Sequence, residues 1–279
     1  MIKRDSLVGV LFIGDPHIEG KAPDFRCDDF PNVILEKVQW CLDYAGKNRL
    51  LPVFLGDLFD KPRNNPTWVI GRLIEMLIGS NAIGIYGNHD CAEPVLSEND
   101  SLMLLVKAGC LRLVSQSSPW TGFVAGRPVL IGGSSYRERI PKAIAGTEFP
   151  RDGLFPEPTF GIWITHHDIK VQGYESGRFS PFEIENIDVL VNGHIHTRGK
   201  DIRRGQTRWI NPGNISRRSR SEKCRTQKPA VLQITLTEES YLQEYVTVPH
   251  QSFDDVFHAP VHDNDTVDNA SAFVAGLNE

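Results

Sequence analysis

Residues 50–60, LLPVFLGDLFD, join an apolar run to two carboxylates, Asp57 and Asp60. The run 50–56 holds no charged residue and ends in Gly56, a pattern that favours a strand buried on both faces of a sheet. Strands of that kind occur in parallel sheets, where ligands bind outside the carboxyl ends of the strands. The stretch therefore predicts a buried strand that delivers acidic side chains to one edge of a parallel sheet.

The segments around this stretch alternate between strand and helix patterns. Short apolar runs at 7–14 and 83–87 indicate two more strands. Apolar residues at helical spacing, or a proline near the first turn, indicate helices over 31–47, 68–79 and 101–108. This β-α-β-α-β order predicts an α/β fold with parallel strands joined by right-handed crossovers.

The second half of the chain changes to successive strands, with little helix after about residue 185. Six strand-like runs cover residues 128–133, 161–167, 187–194, 207–213, 230–236 and 241–248. This pattern predicts two sheets packed face to face with helices outside. We expect residues 1–250 to form one domain, and residues 251–279, which lack periodicity, to be a mobile or loosely packed acidic tail.

The formal net charge of −5 is concentrated at the end of the chain. Residues 251–279 contain six acidic residues and no Lys or Arg, so residues 1–250 hold 30 basic against 29 acidic groups. The body of the protein therefore has a net charge of +1, which is compatible with a phosphate-rich partner.

The five cysteines are widely spaced, and none forms a C-x-x-C pair. Their odd number argues against a disulfide framework or a zinc ribbon and favours free thiols in a reducing compartment. The sequence has no run of eighteen or more apolar residues, so no membrane span is expected. The apolar run near the N-terminus is brief and lacks a signal-cleavage pattern, so we expect a cytoplasmic protein.

Side chains that can bind metals follow five of the predicted strands. Seven of them are candidate ligands: Asp15, His17, Asp57, Asn88, His166, His194 and His196. Each motif taken alone fits an ordinary loop or turn, but five such strand ends in one chain do not. Imidazole and carboxylate groups bind first-row divalent ions, and this number of donors suits two octahedral ions about 3.5–4 Å apart that share one carboxylate. A water between such ions would be a nucleophile at neutral pH, and the ions would hold two oxygens of a phosphoryl group.

The order of these motifs resembles the signature of calcineurin-like metallophosphoesterases. The motifs are D-x-H at 15–17, G-D-x-x-D at 56–60, G-N-H-D at 87–90, a histidine at 166 and G-H-x-H at 193–196. The resemblance implies a four-layer αββα sandwich with two mixed sheets and a dinuclear metal site at one end. It covers the chain from residue 14 to residue 196, and to about residue 248 with the strands that follow.

The resemblance also implies a role for each residue of the motifs. One ion would be held by Asp15, His17, Asp57 and His196, and the other by Asp57, Asn88, His166 and His194. His89 would not be a ligand but would stabilise developing charge or protonate the leaving oxygen, with Asp90 orienting it. His166 is preferred to His167 because the first histidine of the motif is the usual ligand. The mixed nitrogen and oxygen donors predict two divalent ions, with Mn²⁺ expected and Fe²⁺ or Zn²⁺ also accommodated.

The form of two motifs bears on the substrate. GDLFDKP at 56–62 and GNHD at 87–90 differ from the G-D-x-V-D-R-G and G-N-H-E of protein phosphatases and look more like SbcD-type nucleases. NPGN at 211–214 also resembles those nucleases, which act with an SbcC-type ATPase on DNA ends. The resemblance therefore implies a DNA exonuclease or endonuclease of DNA repair, with DNA and an SbcC-type ATPase as partners.

A basic run follows the last of these motifs. Residues 217–228 carry six basic groups and one acid, and the candidate phosphate contacts are Arg217, Arg218, Arg220, Lys223 and Arg225. The alternative for this run is a solvated surface loop.

Two other functions remain open. SbcD-type proteins usually continue into a DNA-capping domain and an ATPase-binding segment, whereas about thirty residues follow the last predicted strand here. A stand-alone or phage-type nuclease fits this length, and so does a phosphodiesterase or phosphatase for nucleotides or other small phosphoesters. A non-catalytic interaction module is the third alternative, but such modules have typically lost metal ligands, and all seven are present here.

Overall fold

Two buried parallel strands, β1 (Gly9–Ile13) and β2 (Leu50–Phe54), lie at the centre of the first sheet. Every residue of both strands is buried, which explains their continuous apolar sequences. They pair in parallel along their whole length, from Gly9 opposite Leu50 to Ile13 opposite Phe54. The structure is a computed structural model that describes residues 6–144 and 159–258.

The first sheet has six strands and mixed pairing. In spatial order they are β12 (Tyr241–Thr247), β11 (Ala230–Leu236), β1, β2, β3 (Ile83–Gly84) and β4 (Arg112–Leu113). The strands β1 to β4 are parallel, and β11 and β12 join in antiparallel fashion.

The second sheet also has six strands and mixed pairing. In spatial order they are β5 (Trp120–Val124), β6 (Arg127–Ser134), β7 (Phe160–Thr165), β8 (Val189–Asn192), β10 (Thr207–Ile210) and β9 (Ile202–Arg204). The four inner strands are parallel, and both edge strands are antiparallel to their neighbours.

The longer helices cover the outer face of the first sheet. They are α1 (Phe30–Lys47), α2 (Thr67–Leu77) and α3 (Ser101–Lys107), and two short helices follow later, α4 (Glu222–Thr226) and α5 (Phe253–Val256). α1 has a proline in its first turn, where the missing N–H leaves no helical hydrogen bond unmade. Its Ile34 and Val38 are fully buried in one cluster with Leu11 of β1, so the apolar stripe of α1 faces the sheet.

The apolar core lies in layers between and outside the two sheets. Phe12 and Val53 of the first sheet pack in one cluster with Ile162 and Val191 of the second. This layered arrangement confirms the predicted α/β sandwich of two mixed sheets. Within the described part of the chain, the outer face of the second sheet is covered by irregular segments, whose apolar residues pack around Trp163.

Three short strands, β4, β5 and β9, were not expected from the sequence. Their residues are mostly exposed or half-buried, so they lack the apolar run that predicts a strand. The strands expected over 230–236 and 241–248 are confirmed as β11 and β12.

The first residues of the expected acidic tail pack against the domain. Phe253, Val256 and Phe257 form a small buried cluster at α5, and Asp254 pairs with Arg225 at 2.7 Å. The rest of the tail, 259–279, lies outside the described residues, so the boundary at residue 250 and the mobility of the tail remain predictions. Among the helices that the structure describes, none is long and apolar enough to span a bilayer.

Candidate metal centre

The carboxyl ends of neighbouring parallel strands bring the predicted metal ligands together. β1, β2 and β3 are adjacent in the first sheet, and β7 and β8 are adjacent in the second. Two groups of ligand atoms result, each with its atoms within 4.8 Å of one another. The first group is Asp15, His17, Asp57 and His196, and the second is Asp57, His166 and His194. Asp57 belongs to both groups, which places one carboxylate between them.

Asn88 completes the second group. Its Oδ1 lies 3.2 Å from Nε2 of His166 and 3.1 Å from Nδ1 of His194. The shared carboxylate is equally close, because Oδ2 of Asp57 lies 3.2 Å from Nε2 of His166 and 3.5 Å from Nε2 of His17. The structure thus brings all seven predicted ligands to one place.

The spacing of the ligand atoms fits divalent ions. Two ligands at right angles around an ion, each about 2.1 Å from it, lie about 3.0 Å apart. The Nε2 atoms of His17 and His196 face each other at 2.9 Å. Among the described residues, the buried Oδ2 of Asp15 has no hydrogen-bond partner, although buried carboxylate oxygens are normally paired. A buried carboxylate oxygen without a hydrogen-bond partner, next to imidazole nitrogens that face each other, is the arrangement expected of ligands that bind an ion.

The backbone around these ligands is held in an unusual conformation. Asp15, His17, Asp57 and His194 have φ angles of 40°, 49°, 47° and 68°. Positive φ is uncommon for residues other than glycine and costs about 1–3 kcal/mol for each residue so held. Four of the seven candidate ligands therefore occupy strained positions, a pattern typical of functional sites.

Glycines in the motifs allow the strand ends to approach each other. A Cβ atom at Gly87 would overlap the carboxylate of Asp57, and one at Gly193 would lie 2.9 Å from Nδ1 of His166. The glycines of the G-N-H-D and G-H-x-H motifs are therefore required by close contacts at the site.

The two adjacent histidines after β7 have different environments. Nδ1 of His166 donates to the carbonyl of Leu55 at 2.8 Å, which leaves Nε2 to face Asp57 and Asn88. Nε2 of His167 donates to the carbonyl of Glu138 at 2.7 Å, and its ring packs against Phe179. The structure places His166, and not His167, among the candidate ligands.

Burial controls the charge of the site. It raises the pKa of Asp15 to about 7, and it lowers the pKa of His194 to about 3, so that this imidazole is neutral, as a ligand must be. Burial alone would also raise the pKa of Asp57, but the neighbouring His166 and His17 hold it well below its usual value. Cations bound beside these two carboxylates would relieve the cost of burying them.

His89 lies beside the site, and its side chain is 40 % exposed, whereas Asp15, His17, Asp57 and His166 are buried. Its backbone N–H donates to Oδ1 of Asp57 at 2.8 Å, which fixes the loop after β3 to the shared carboxylate. Its ring Nδ1 donates to the backbone carbonyl of Asp60 at 2.8 Å. In this tautomer Nε2 is free to interact with a substrate. His17, Asp60 and His89 also have ligand atoms within 4.8 Å of one another, so ligation by His89 is an alternative that metal counting can test.

Among the described residues, Asp90 makes no hydrogen bond to the ring of His89, so its predicted role in orienting that ring has no direct contact to support it. The Asp90 carboxylate is fully buried and accepts hydrogen bonds from the backbone N–H groups of Leu58, Phe59 and Gly87, at 3.3, 3.0 and 2.9 Å. It therefore joins the loop after β2 to the loop after β3. The acid next to His89 is Asp60, whose Oδ1 lies 3.6 Å from Nδ1 of the ring.

Asp60 lies next to two histidines and an arginine. Its Oδ1 is 3.3 Å from Nδ1 of His17, and its carboxylate also pairs with Arg218. Burial would raise the pKa of Asp60, but the neighbouring His17 and the Arg218 charge lower it to about 2. Arg218 pairs further with Glu19 at 2.7 Å. Asp60, Arg218 and Glu19 thus form a charged group next to His17. Of these three residues, Asp60 could have been found from the sequence, as the second acid of G-D-x-x-D.

The predicted basic run does not form one exposed surface. The prediction that Arg217 contacts phosphates at the protein surface is wrong, because Arg217 is 6 % exposed and donates to the carbonyls of Gln251 and Gln227. Arg218 faces the metal centre, as described. Lys223 donates to the carbonyl of Gly173, Arg225 pairs with Asp254, and the guanidinium of Arg220 lies over the ring of Phe25. Lys223, Arg225 and Arg220 remain candidate nucleic-acid contacts, because surface pairs of this kind contribute little to the free energy of folding and can be replaced by contacts to phosphates.

Asp90→Ala is expected to destabilise the metal-free protein. The change leaves three buried N–H groups without an acceptor, and each costs about 1–3 kcal/mol. The midpoint of thermal unfolding in a chelator should fall by about 5 °C or more. Asp254→Ala, at an acid whose side chain is 72 % exposed, is the control and should leave the midpoint unchanged. A variant that unfolds like wild type but has a reduced kcat would instead support the role of Asp90 in orienting His89.

Comparisons with known proteins agree with this geometry. The family model described as calcineurin-like phosphoesterase matches residues 9–198. Among curated proteins, none matches this chain.

Three solved structures are similar to the chain at low sequence identity. A predicted phosphoesterase from Streptococcus pneumoniae is 13 % identical, with a TM-score of 0.36, and the match covers 88 % of this chain and 92 % of that one. Plasmodium GAP50, described as the anchor in the inner membrane complex, is 12 % identical, with a TM-score of 0.47 and coverages of 96 % and 94 %. Chaetomium thermophilum Vps29 is 14 % identical, with a TM-score of 0.33 and coverages of 88 % and 98 %.

Proposed function

The chain belongs to the calcineurin-like phosphoesterase family, and from this premise we propose that it is a dinuclear metal-dependent phosphodiesterase that acts on DNA. The observation that carries the proposal is the Asp57 carboxylate, which is shared by two groups of converging ligand atoms. One shared carboxylate between two nitrogen-rich groups is the arrangement that two neighbouring divalent ions require.

Seven residues would hold the two ions. One set is Asp15, His17, Asp57 and His196, and the other is Asp57, Asn88, His166 and His194. Two divalent ions bound there supply Lewis acidity, which offsets phosphoryl charge and lowers the pKa of a water. We propose Mn²⁺ as the metal, with Fe²⁺ or Zn²⁺ as alternatives, because neutral imidazoles and carboxylates suit all three.

His89 is the residue placed to transfer a proton. Its side chain is 40 % exposed, and the Asp60 carbonyl accepts a hydrogen bond from Nδ1–H, which leaves Nε2 to approach the substrate. A protonated His89 would donate from Nε2 to the leaving oxygen as the P–O bond breaks. The Asp60 carboxylate, 3.6 Å from Nδ1, would stabilise the positive charge of that protonated ring.

An exposed aromatic and basic pair, which includes an arginine two residues after Arg218, supports DNA as the substrate. The guanidinium of Arg220 lies 3.8 Å from the centre of the Phe25 ring, and Phe25 is 48 % exposed. Arg220 follows Arg218, which contacts Asp60 at the metal centre, by two residues. Exposed rings stack on nucleic-acid bases, and arginines bind the backbone phosphates. The similarity of GDLFDKP and GNHD to the motifs of SbcD-type nucleases favours the same substrate. On the same ground we propose an SbcC-type ATPase as a partner.

A small phosphoester is the second candidate substrate. Arg217 is buried and Arg218 is paired with two carboxylates, so two of the five predicted phosphate contacts are already engaged within the protein. Fewer free cations mean fewer neutralised backbone phosphates and weaker binding of a polymer. A nucleotide or another small phosphoester needs only the metal centre and His89.

Parallel assays with Mn²⁺ on DNA and on bis-p-nitrophenyl phosphate test the proposal. We expect both substrates to be cleaved, and a circular DNA added to the linear one distinguishes an endonuclease from an exonuclease. Phe25→Ala should raise KM for DNA about 5- to 150-fold, because stacking contributes ~1–3 kcal/mol per base, and should leave the small diester unaffected. Cleavage of the small diester with intact DNA would establish the second candidate. No hydrolysis of either with Mn²⁺, Fe²⁺ or Zn²⁺ would contradict catalysis altogether.

A further inference from the structure

A second cavity lies between α1, the segment after β10 and the chain just beyond β12. Its volume is about 360 Å³, and none of the seven candidate metal ligands lines it. The lining includes Arg26, Lys37, Trp40, Arg217 and His250, together with one acidic residue, Glu36, which is exposed. The three basic residues, in contrast, are buried, which is unusual for Lys and Arg.

Within the described ranges, two of the cations are buried and have no carboxylate partner. Lys37 and Arg217 are 7 % and 6 % exposed. Nζ of Lys37 donates to the carbonyl of Ile215 at 3.0 Å, and Arg217 donates to the carbonyls of Gln251 and Gln227 at 3.0 and 3.2 Å. These carbonyls accept hydrogen bonds but leave the charges uncompensated. Nε of Arg217 is buried and has no hydrogen-bond partner among the residues that the structure describes.

The third cation, Arg26, adds a further positive charge and does not neutralise Lys37 or Arg217. Arg26 pairs with Asp28, and its Nη1 donates to the backbone carbonyl of Arg217 at 2.8 Å. Burial, together with the charges of Arg26 and Arg217, lowers the pKa of Lys37 to about 8, although the Asp28 charge acts in the opposite direction. Burying an unpaired charge is costly, so a cavity with two such cations favours an anion.

We propose that this cavity binds a phosphate-type oxyanion, either inorganic phosphate or the phosphate group of a small phosphomonoester. Arg217 and Lys37 both line the cavity, and Lys37 has N–H donors beyond its single carbonyl contact, so this pair of cations can attract such an anion and Lys37 can form a charge-assisted hydrogen bond to it. The cavity is larger than one phosphate group, and Trp40 in its wall offers an apolar surface for the remainder of a small ligand.

One short segment connects this cavity to the metal centre. The N–H of Ile215 donates to the carbonyl of Gly14, and the hydroxyl of Ser216 donates to the carbonyl of Asp15, both at 3.1 Å. Arg217 then faces the cavity, and the next residue, Arg218, pairs with Asp60 at the metal centre. An anion bound to Arg217 therefore stabilises the segment that holds the Asp15 loop.

Titration calorimetry on the full chain, stripped of metals with a chelator, tests this site. We expect inorganic phosphate to bind with one equivalent per chain at constant ionic strength set with sodium chloride. Lys37→Met should weaken binding about 10- to 100-fold, through loss of a charge-assisted contact. Lys47→Met, the same change at an exposed position of α1, is the control and should bind phosphate like wild type. Arg217→Gln is a second variant that should also weaken binding.

Thermal unfolding gives an independent readout. In phosphate-free buffer Lys37→Met should unfold at a higher temperature than wild type, because it removes an unpaired buried charge. Phosphate should raise the midpoint of wild type and leave that of the variant unchanged. Asp57→Asn should retain phosphate binding, and its loss would assign the anion to the metal centre and overturn the proposal. Absence of binding to the metal-free wild type at millimolar phosphate would overturn it as well.

Two ligands distinguish the sources of the phosphate group. Adenosine monophosphate that binds about tenfold more tightly than inorganic phosphate would support a phosphomonoester as the ligand. Equal or weaker binding of the nucleotide would support free phosphate. Binding of both with unchanged affinity in Lys37→Met and in Arg217→Gln would overturn the site.

Discussion

Asp57→Asn is expected to remove both ions from the protein and to abolish hydrolysis. Asp57 is the single side chain that belongs to both groups of ligand atoms, and Asp15 is the one other carboxylate in those groups. A neutral amide in its place cannot offset two divalent charges. Loss of groups that merely support a metal ligand lowers metal affinity ~10- to 100-fold, so loss of the shared ligand should cost more than about 100-fold.

Metal analysis after gel filtration measures this result. We expect about two ions per wild-type chain and less than one per variant chain, with kcat on a small diester reduced by more than about 10³-fold. Asparagine has the same shape as aspartate, and its oxygen can still accept the His89 N–H, so the metal-free variant should remain folded by circular dichroism. Asp254→Asn, at an exposed acid, is the matched control. A variant that keeps two ions and full turnover would contradict the role of Asp57 as the shared ligand.

His89→Ala is expected to retain both ions and to lose most of the turnover. The side chain is 40 % exposed, and within the described part of the chain its ring donates one hydrogen bond, to the carbonyl of Asp60. Removal of a general acid usually costs ~10²- to 10⁴-fold in rate, and we expect kcat to fall within that range. The His89 backbone N–H, which bonds to Asp57, is unaffected by the change in side chain.

Two measurements separate this role from ligation. Metal content should stay at about two ions per chain, and a substrate with a good leaving group should lose less activity than one with a poor leaving group, because the former needs no proton. His258→Ala, at an exposed histidine, is the control and should behave like wild type. A loss of metal in His89→Ala would show that His89 is a ligand together with His17 and Asp60.

The buried strands and the metal-binding motifs were predictable from the sequence because both are local patterns. Apolar runs such as 50–56 predict strands buried on both faces, and parallel order follows from the helices between them. The glycine and aspartate that end such a run mark the edge of the sheet. The sequence did not predict β4, β5 and β9, because their residues are mostly exposed or half-buried and they therefore lack an apolar run.

The directions of side chains at the site depended on the tertiary structure. His89 and Asp90 are adjacent in sequence, yet the ring of His89 faces solvent while Asp90 turns inward to three backbone N–H groups. Those donors exist in this position because the loop after β2 passes beside the loop after β3. The partner of His89 is therefore Asp60, which lies 29 residues away in sequence.

The two-sheet fold, the candidate ligands and the class of chemistry could be predicted from the sequence, since strand burial and donor type are encoded within each short motif. The accessibility and the pairing of the charged groups, in contrast, follow from tertiary packing. Arg217 and Arg218 look alike in the basic run, but one lines a buried cavity and the other pairs with Asp60 and Glu19. The physical reason is that the partners of a charged side chain come from distant segments, and their packing sets its burial and its electrostatic environment.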